Sequence, residues 1–229
     1  MITIEEINVK GNFHFITWYP NNPYIEKTVS YKCYYNIEEG CRLERMGRIE
    51  VYMRNGEQYS FECWVTGYCS QFGINVSDDG QYIYLISDDK GLWCYTYKGE
   101  IVWKTRYTSV SHVFPHPNHH ITCVMTTKLA ILDPMGKMIK QVPIYREALP
   151  HKVSDAVIAA NTSETIFALF DSQTLEVLHR ISLKKLELWK FYELELNGDL
   201  LTVYGLSAYK RSEKVTLQID LKDHPAVIK

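Results

Sequence analysis

Val76-Ser-Asp-Asp-Gly80-Gln-Tyr-Ile-Tyr-Leu-Ile86 decides how this 229-residue chain is read. The Asp-Gly pair supplies the positive φ angles of a tight hairpin turn, and the run after it is rich in β-branched and aromatic residues. A second turn follows at Tyr97-Lys-Gly99, between Leu92-Trp-Cys-Tyr95 and Ile101-Val-Trp103. Residues 72–107 therefore read as about four short strands joined by tight turns.

The same pattern recurs on both sides. Val113-Phe-Pro-His-Pro-Asn118-His-His-Ile-Thr-Cys-Val124 repeats strand, turn and strand, and Leu129-Ala-Ile-Leu-Asp133-Pro-Met-Gly136-Lys-Met-Ile139 repeats the second hairpin. A further copy reads from Val157 to Val177, and another from Leu194 to Asp220. Taking Ile83, Ile121, Ile166 and Leu201 as equivalent gives steps of 38, 45 and 35 residues. Towards the N-terminus, Asn55-Gly56 lies between Arg48–Tyr52 and Tyr59–Cys63; Gly56, Gly99 and Gly136 are 43 and 37 residues apart. A period of this size marks an array of like units.

The expected fold is all-β: a five-bladed β-propeller of four-stranded antiparallel blades, forming one domain over residues 1–229. The blades fall at approximately 13–65, 70–107, 110–144, 153–185 and 189–221. The last unit is one strand short, and the spare run Ile2–Ile7 is expected to become its outer strand and close the ring. A large β-sandwich or a two-sheet barrel could use similar hairpins, but neither needs the repeated pair of turns.

Composition bounds the function. Twenty-five basic residues stand against 27 acidic ones, for a formal charge of −2, so no basic surface for a nucleic-acid backbone is expected. No apolar run approaches the ~18 residues that would span a bilayer. The N-terminus carries no secretion-signal pattern, and six cysteines lie at irregular spacings without C-x-x-C. Reduced thiols and a cytoplasmic location are the expectation.

Two segments resemble known propeller repeats. Val76–Tyr84 is similar to the Ser-Pro-Asp-Gly-Lys turn and strand of Tricorn-type and WD-repeat propellers, and Tyr95-Thr-Tyr-Lys-Gly-Glu-Ile-Val-Trp103 resembles the Gly-x-x-x-Trp hairpin of quinoprotein-type repeats. The resemblance implies architecture only. There is no Gly-His…Trp-Asp pair, and the chain is too short for an eight-bladed quinoprotein ring, so no quinone-binding or catalytic residue is carried over.

Several constellations could carry chemistry. His112, His116, His119 and His120 are of metal-ligating type. They fall around one turn and the far end of its strand, and read as solvated turn histidines. Asp78-Asp79 reads as turn chemistry and Asp88-Asp89 as a strand end. Cys63 or Cys69 with a distant histidine could form a nucleophilic pair, but nothing in the sequence joins them. No catalytic residue, metal ligand or cofactor is assigned. Trp64, Trp93, Trp103 and Trp189 read as packing residues between sheets, while Trp18, beside Tyr19-Pro-Asn-Asn-Pro, has the best claim to exposure. The connection 36–46 is longer than its equivalents elsewhere.

Binding residues are expected on the loops. Tyr68, Tyr107, His112, Arg146 and His151 come from connections between units; Arg42, Arg45, Tyr209 and Arg211 come from connections within them. Tyr and Arg are enriched at interface hot spots. The expectation is a non-catalytic module whose partner is another protein, with a toxin-neutralising immunity protein as its specific form. The alternative is a small-ligand binder, for a sugar or a metal, or a hydrolase using a central channel. Neither nucleic acid nor membrane is an expected partner.

Overall fold

The computed structural model describes residues 4–9, 12–34, 45–64, 74–87, 91–107, 110–145, 151–154 and 156–228. Among them every regular element is a strand, and the strands form antiparallel sheets. The first sheet runs in order through β1 (Ile4–Val9), β2 (Asn12–Trp18), β3 (Ile25–Tyr34), β4 (Arg45–Met53) and β5 (Gln58–Trp64). The second holds β6 (Ile74–Val76), β7 (Tyr82–Ser87), β8 (Gly91–Thr96) and β9 (Ile101–Lys104). The third holds β10 (Val110–Pro115), β11 (Ile121–Met125), β12 (Lys128–Leu132) and β13 (Met138–Pro143). The fourth holds β14 (His151–Lys152), β15 (Val157–Ser163), β16 (Ile166–Asp171) and β17 (Val177–Ser182). The fifth is β18 (Leu188–Asn197), β19 (Leu200–Ser207) and β20 (Lys214–Asp220); β21 (Val227–Ile228) returns to the outside of the fourth sheet, beside β17.

The chain divides into two compact units, residues 1–125 with 132–138, and residues 126–131 with 139–229. In the first unit, the turn from Ser77 to Tyr82 is held by its own polar groups. The Ser77 N–H donates to Tyr82 O and the Gly80 N–H to Ser77 O, each at 2.9 Å. Asp79 Oδ1 accepts from Ser77 Oγ at 2.7 Å and from the Gln81 N–H at 3.1 Å. Gly80 has φ +67°, and a Cβ there would lie 2.9 Å from Tyr24 Cβ, so conformation and space both require glycine. The same turn recurs as His116–His120, where the His119 N–H donates to His116 O at 3.0 Å and His119 itself takes φ +61°.

The core of this unit follows from strand alternation. Ile49 and Val51 of β4 pack with Ile25, Val76, Ile83, Leu85 and Tyr95. In the second unit, Phe167 and Leu169 of β16 pack with Ala159, Ile181, Phe191, Leu201, Val203 and Ile219.

Two sequence expectations are corrected. The N-terminal strand does not complete the last sheet: β1 pairs antiparallel with β2, Ile4 facing Thr17 and Val9 facing Asn12. Only residues 10 and 11 separate the two strands, so closing this hairpin costs far less chain entropy than joining the far end of the chain. The fifth sheet accordingly has three strands. Ile166 is also not the equivalent of Ile83 and Ile121. It opens β16, the third strand of its sheet, whereas Ile83 and Ile121 lie in second strands; the matching second strand is β15. The first strand, β14, has only two residues and leaves no periodicity to read.

Candidate protein-interaction surface on the fifth sheet

The sequence Leu188-Trp-Lys-Phe191-Tyr-Glu-Leu194 forms a strand although its buried apolar residues recur every third position. Two bulges reconcile the spacing with the pleat. The register between β18 and β19 shifts between Leu188 and Lys190 and again between Phe191 and Glu193. Leu188, Phe191 and Leu194 therefore all reach the core, and the extra residues, Trp189 and Tyr192, turn outward. Trp189 is 43% exposed and Tyr192 39%.

Cations cover these rings. Arg211 Cζ lies 4.7 Å from the Trp189 ring centroid and Lys190 Nζ 4.9 Å. Lys214 Nζ is 5.9 Å from Tyr192. Such contacts are each worth about 0.5–1 kcal/mol at an exposed site. The connection before β18 adds an anchor: the Ala208 N–H donates to Glu187 O at 2.8 Å, and Tyr209 Oη donates to Glu187 Oε1 at 3.1 Å. That hydrogen bond, with the Glu187 charge, pushes the Tyr209 phenol above its usual range. Glu187 takes φ +57°, a conformation side chains seldom adopt, which places a strained residue beside Trp189. Tyr209 is 76% exposed. Tyr209 and Arg211 thus converge on one segment, Glu187–Lys190, Tyr209 on Glu187 and Arg211 over Trp189.

The other sequence-derived residues fall elsewhere. Tyr107 and His112 belong to the first unit. The Met138 N–H donates to Tyr107 Oη at 3.4 Å. His112 stacks on Phe114 with 6.4 Å between centroids, its Nδ1 lies 3.1 Å from Ser111 Oγ, and burial pushes its pKa down. Arg45 opens β4 opposite Tyr34, and His151 opens β14 opposite Ala159. Tyr68, Arg42, Arg146 and the connection 36–44 lie outside the described residues, as do Cys69 and Asp88-Asp89.

The histidines do not share one environment. His116, read from sequence as solvated, is 2% exposed; its Nε2 lies 2.9 Å from Thr122 Oγ1. His119 stands edge-on to Tyr82, with Nε2 3.5 Å from Asp79 Oδ2. Among the described residues no group of three His, Cys, Asp or Glu could hold a metal ion. Buried Glu50 accepts from Tyr31 Oη and Tyr52 Oη at 2.8 Å and pairs with Arg48 at 2.9 Å, so its carboxylate serves the first sheet's own surface.

The tryptophans divide differently from the sequence expectation. Trp103 is buried as expected and donates from Nε1 to Pro134 O at 2.8 Å. Trp18 is half-buried beneath Lys27, whose Nζ is 4.7 Å from its ring. Among the tryptophans whose side chains are described, the exposed ring is that of Trp189, expected from sequence to pack between sheets. The sequence carried the signal in the three-residue spacing of Leu188, Phe191 and Leu194, which a regular strand cannot bury on one face.

Repeated antiparallel sheets make up the described residues, and the fold is that of β-propeller repeat proteins. Three solved structures resemble it at TM-score 0.51: Sqt1 of Saccharomyces cerevisiae, the β-propeller domain of Cps50 (Swd1) of Myceliophteria thermophila, and BamB of Moraxella catarrhalis. Sqt1 is 14% identical, with 90% of this chain and 68% of Sqt1 covered. Cps50 is 11% identical, with 88% and 64% covered. BamB is 14% identical, with 97% and 80% covered. These likenesses concern the fold. No protein-family model and no curated protein matches the sequence.

Proposed function

We propose that the chain is a non-catalytic protein-binding module whose five sheets are the blades of one propeller, and that it holds its partner through Trp189, Tyr209 and Arg211. The observation that carries this reading is the exposed Trp189 ring beneath Arg211 and Lys190, flanked by Tyr192 and Tyr209. Trp, Tyr and Arg dominate the energetics of protein interfaces; here Trp189 stands on a strand, and Tyr209 and Arg211 reach its segment from the β19–β20 connection. A partner presenting a carboxylate beside an apolar group would meet Arg211 and Trp189 together. The buried thiols of Cys94 and Cys123 support a reducing, cytoplasmic setting.

The test is retention of a protein partner from native lysate by wild-type chain, Trp189→Ala and Arg211→Glu, with Tyr107→Phe as the control in the other unit. Loss of one stoichiometric partner with the first two variants alone is the expected result. Equal retention by all four proteins overturns the assignment. The narrower form of the proposal is an immunity protein; it requires that the retained partner be a toxin whose activity the chain abolishes.

A further inference from the structure

β20 is the last strand of its sheet, and its sequence is complementary to itself. Its pairing with β19 is unbroken, from Leu200 opposite Asp220 to Leu206 opposite Lys214. The Leu221 N–H donates to Asp199 O and the Ser207 N–H to Glu213 O, each on the same register, so odd-numbered residues of β20 bond to β19. By antiparallel alternation the main-chain groups of Lys214, Thr216, Gln218 and Asp220 point away from β19. The strand has no proline and no bulge, and no charge points to its core face. These are the usual devices that keep a sheet edge from pairing.

We infer that this edge pairs with the same edge of a second copy, antiparallel and centred on Leu217. In that register Lys214 faces Asp220 of the copy, Val215 faces Ile219, Thr216 faces Gln218, and Leu217 faces Leu217. Opposite charges meet at both ends, β-branched residues meet on the core face, and polar residues meet on the outer face; each such cross-strand pair is favourable. The outward main-chain groups of Thr216 and Gln218 fall opposite one another as hydrogen-bonded pairs, and Leu217 falls in a non-bonded pair. Side-chain register and hydrogen-bond register therefore agree. The two-fold axis makes every contact occur twice, as in an isologous dimer.

The charges are available for it. Lys214 Nζ lies 5.9 Å from the Tyr192 ring, near the outer limit of a cation–π contact, and Asp220 Oδ1 accepts from the Lys222 N–H at 2.9 Å. Trp189 lies in β18, two strands from this edge, and Lys214, which covers Tyr192, is common to both surfaces.

The experiment is sedimentation velocity of the full chain over a wide concentration range. Wild type is expected to pass from monomer to dimer. Thr216→Pro removes an N–H that faces away from β19, so it spares the sheet and weakens the dimer about a hundredfold. Lys214→Asp and Asp220→Lys each give a monomer, and the double variant Lys214→Asp/Asp220→Lys recovers the dimer. Trp189→Ala leaves the dimer unchanged, which separates this result from failure of the partner-binding proposal. A wild-type chain that stays monomeric throughout, a dimer indifferent to Thr216→Pro, or a double variant no tighter than the single ones overturns the inference.

Discussion

β16 and β20 are each the third strand of a sheet in the second unit, and they differ in what lies beyond them. β16 is followed by β17 and then β21, and Phe167 through Phe170 are all buried. Among the described residues β20 has no further strand beside it in the sheet, and only Ile219 is buried along its length. β16 is apolar on both faces from Ile166 to Phe170, whereas β20 alternates Val215, Leu217 and Ile219 with polar residues. Coverage by the next strand and a second apolar face go together, and both separate this core strand from the edge.

The largest test of that contrast is truncation on both strands. Phe167→Ala is expected to cost roughly 3–5 kcal/mol, because its buried ring packs 4.8 Å from that of Phe191. Leu217→Ala, on the uncovered strand, should cost about 1 kcal/mol. Urea denaturation measures both, and equal costs would break the comparison.

Next in size is the glycine on the covered side of the fifth sheet. A Cβ at Gly205 would lie 2.8 Å from Lys190 O and 3.0 Å from Leu188 Cδ1. Gly205→Ala is expected to cost about 1–3 kcal/mol by overpacking between β18 and β19. At Gly198 no atom lies within 4 Å of such a Cβ, and only φ +60° opposes substitution, so Gly198→Ala should cost about 1–2 kcal/mol. Reversal of that order would place the tight packing elsewhere.

Thiol chemistry extends the contrast to the first unit. Burial pushes the Cys94 thiol up to about 12 and the Cys123 thiol higher still. Both should react with iodoacetamide more than about a hundredfold more slowly in the native chain than in denaturant. Fast native labelling would show that β8 or β11 opens like an edge.

The smallest effect is a pH dependence at His112. Burial lowers its folded pKa below the unfolded value of about 6.5. As pH falls through that value the unfolded chain takes up a proton first, so stability is lost until the folded pKa is passed. Comparing urea midpoints at neutral and mildly acid pH, His112→Gln should show a shallower decline than wild type. Identical declines would mean the ring titrates as it does in water.

Much of the repeat was legible because its turns carry glycine. Gly56, Gly99 and Gly136 all take positive φ, and all three were readable as one series. The fourth member of that series is Leu175, at φ +54°, with Asp171 Oδ1 accepting from the Gln173 and Thr174 N–H groups. Its side chain hid the turn, and with β14 only two residues long the reading of that unit slipped by one strand. His119 replaces the glycine of the other turn series in the same way, and it is His116, in the place of Ser77, that is buried. At the candidate site, Tyr209 and Arg211 were legible as loop residues, but Trp189 was not, because bulges invert the rule that large apolar residues face the core. The N-terminal strand was misplaced for a different reason: sequence pattern shows that a strand exists, not which edge it joins.

Hydrogen exchange of the β20 amides, followed residue by residue at low and high protein concentration, tests the edge most directly. The Val215, Leu217 and Ile219 amides, bonded to β19, are predicted to be protected at both concentrations. Those of Thr216 and Gln218 are predicted to exchange freely when the chain is dilute and to become protected as it concentrates. Protection of Thr216 and Gln218 in dilute solution would mean that another segment of the same chain covers the edge, and rapid exchange at every concentration would mean that no second copy does.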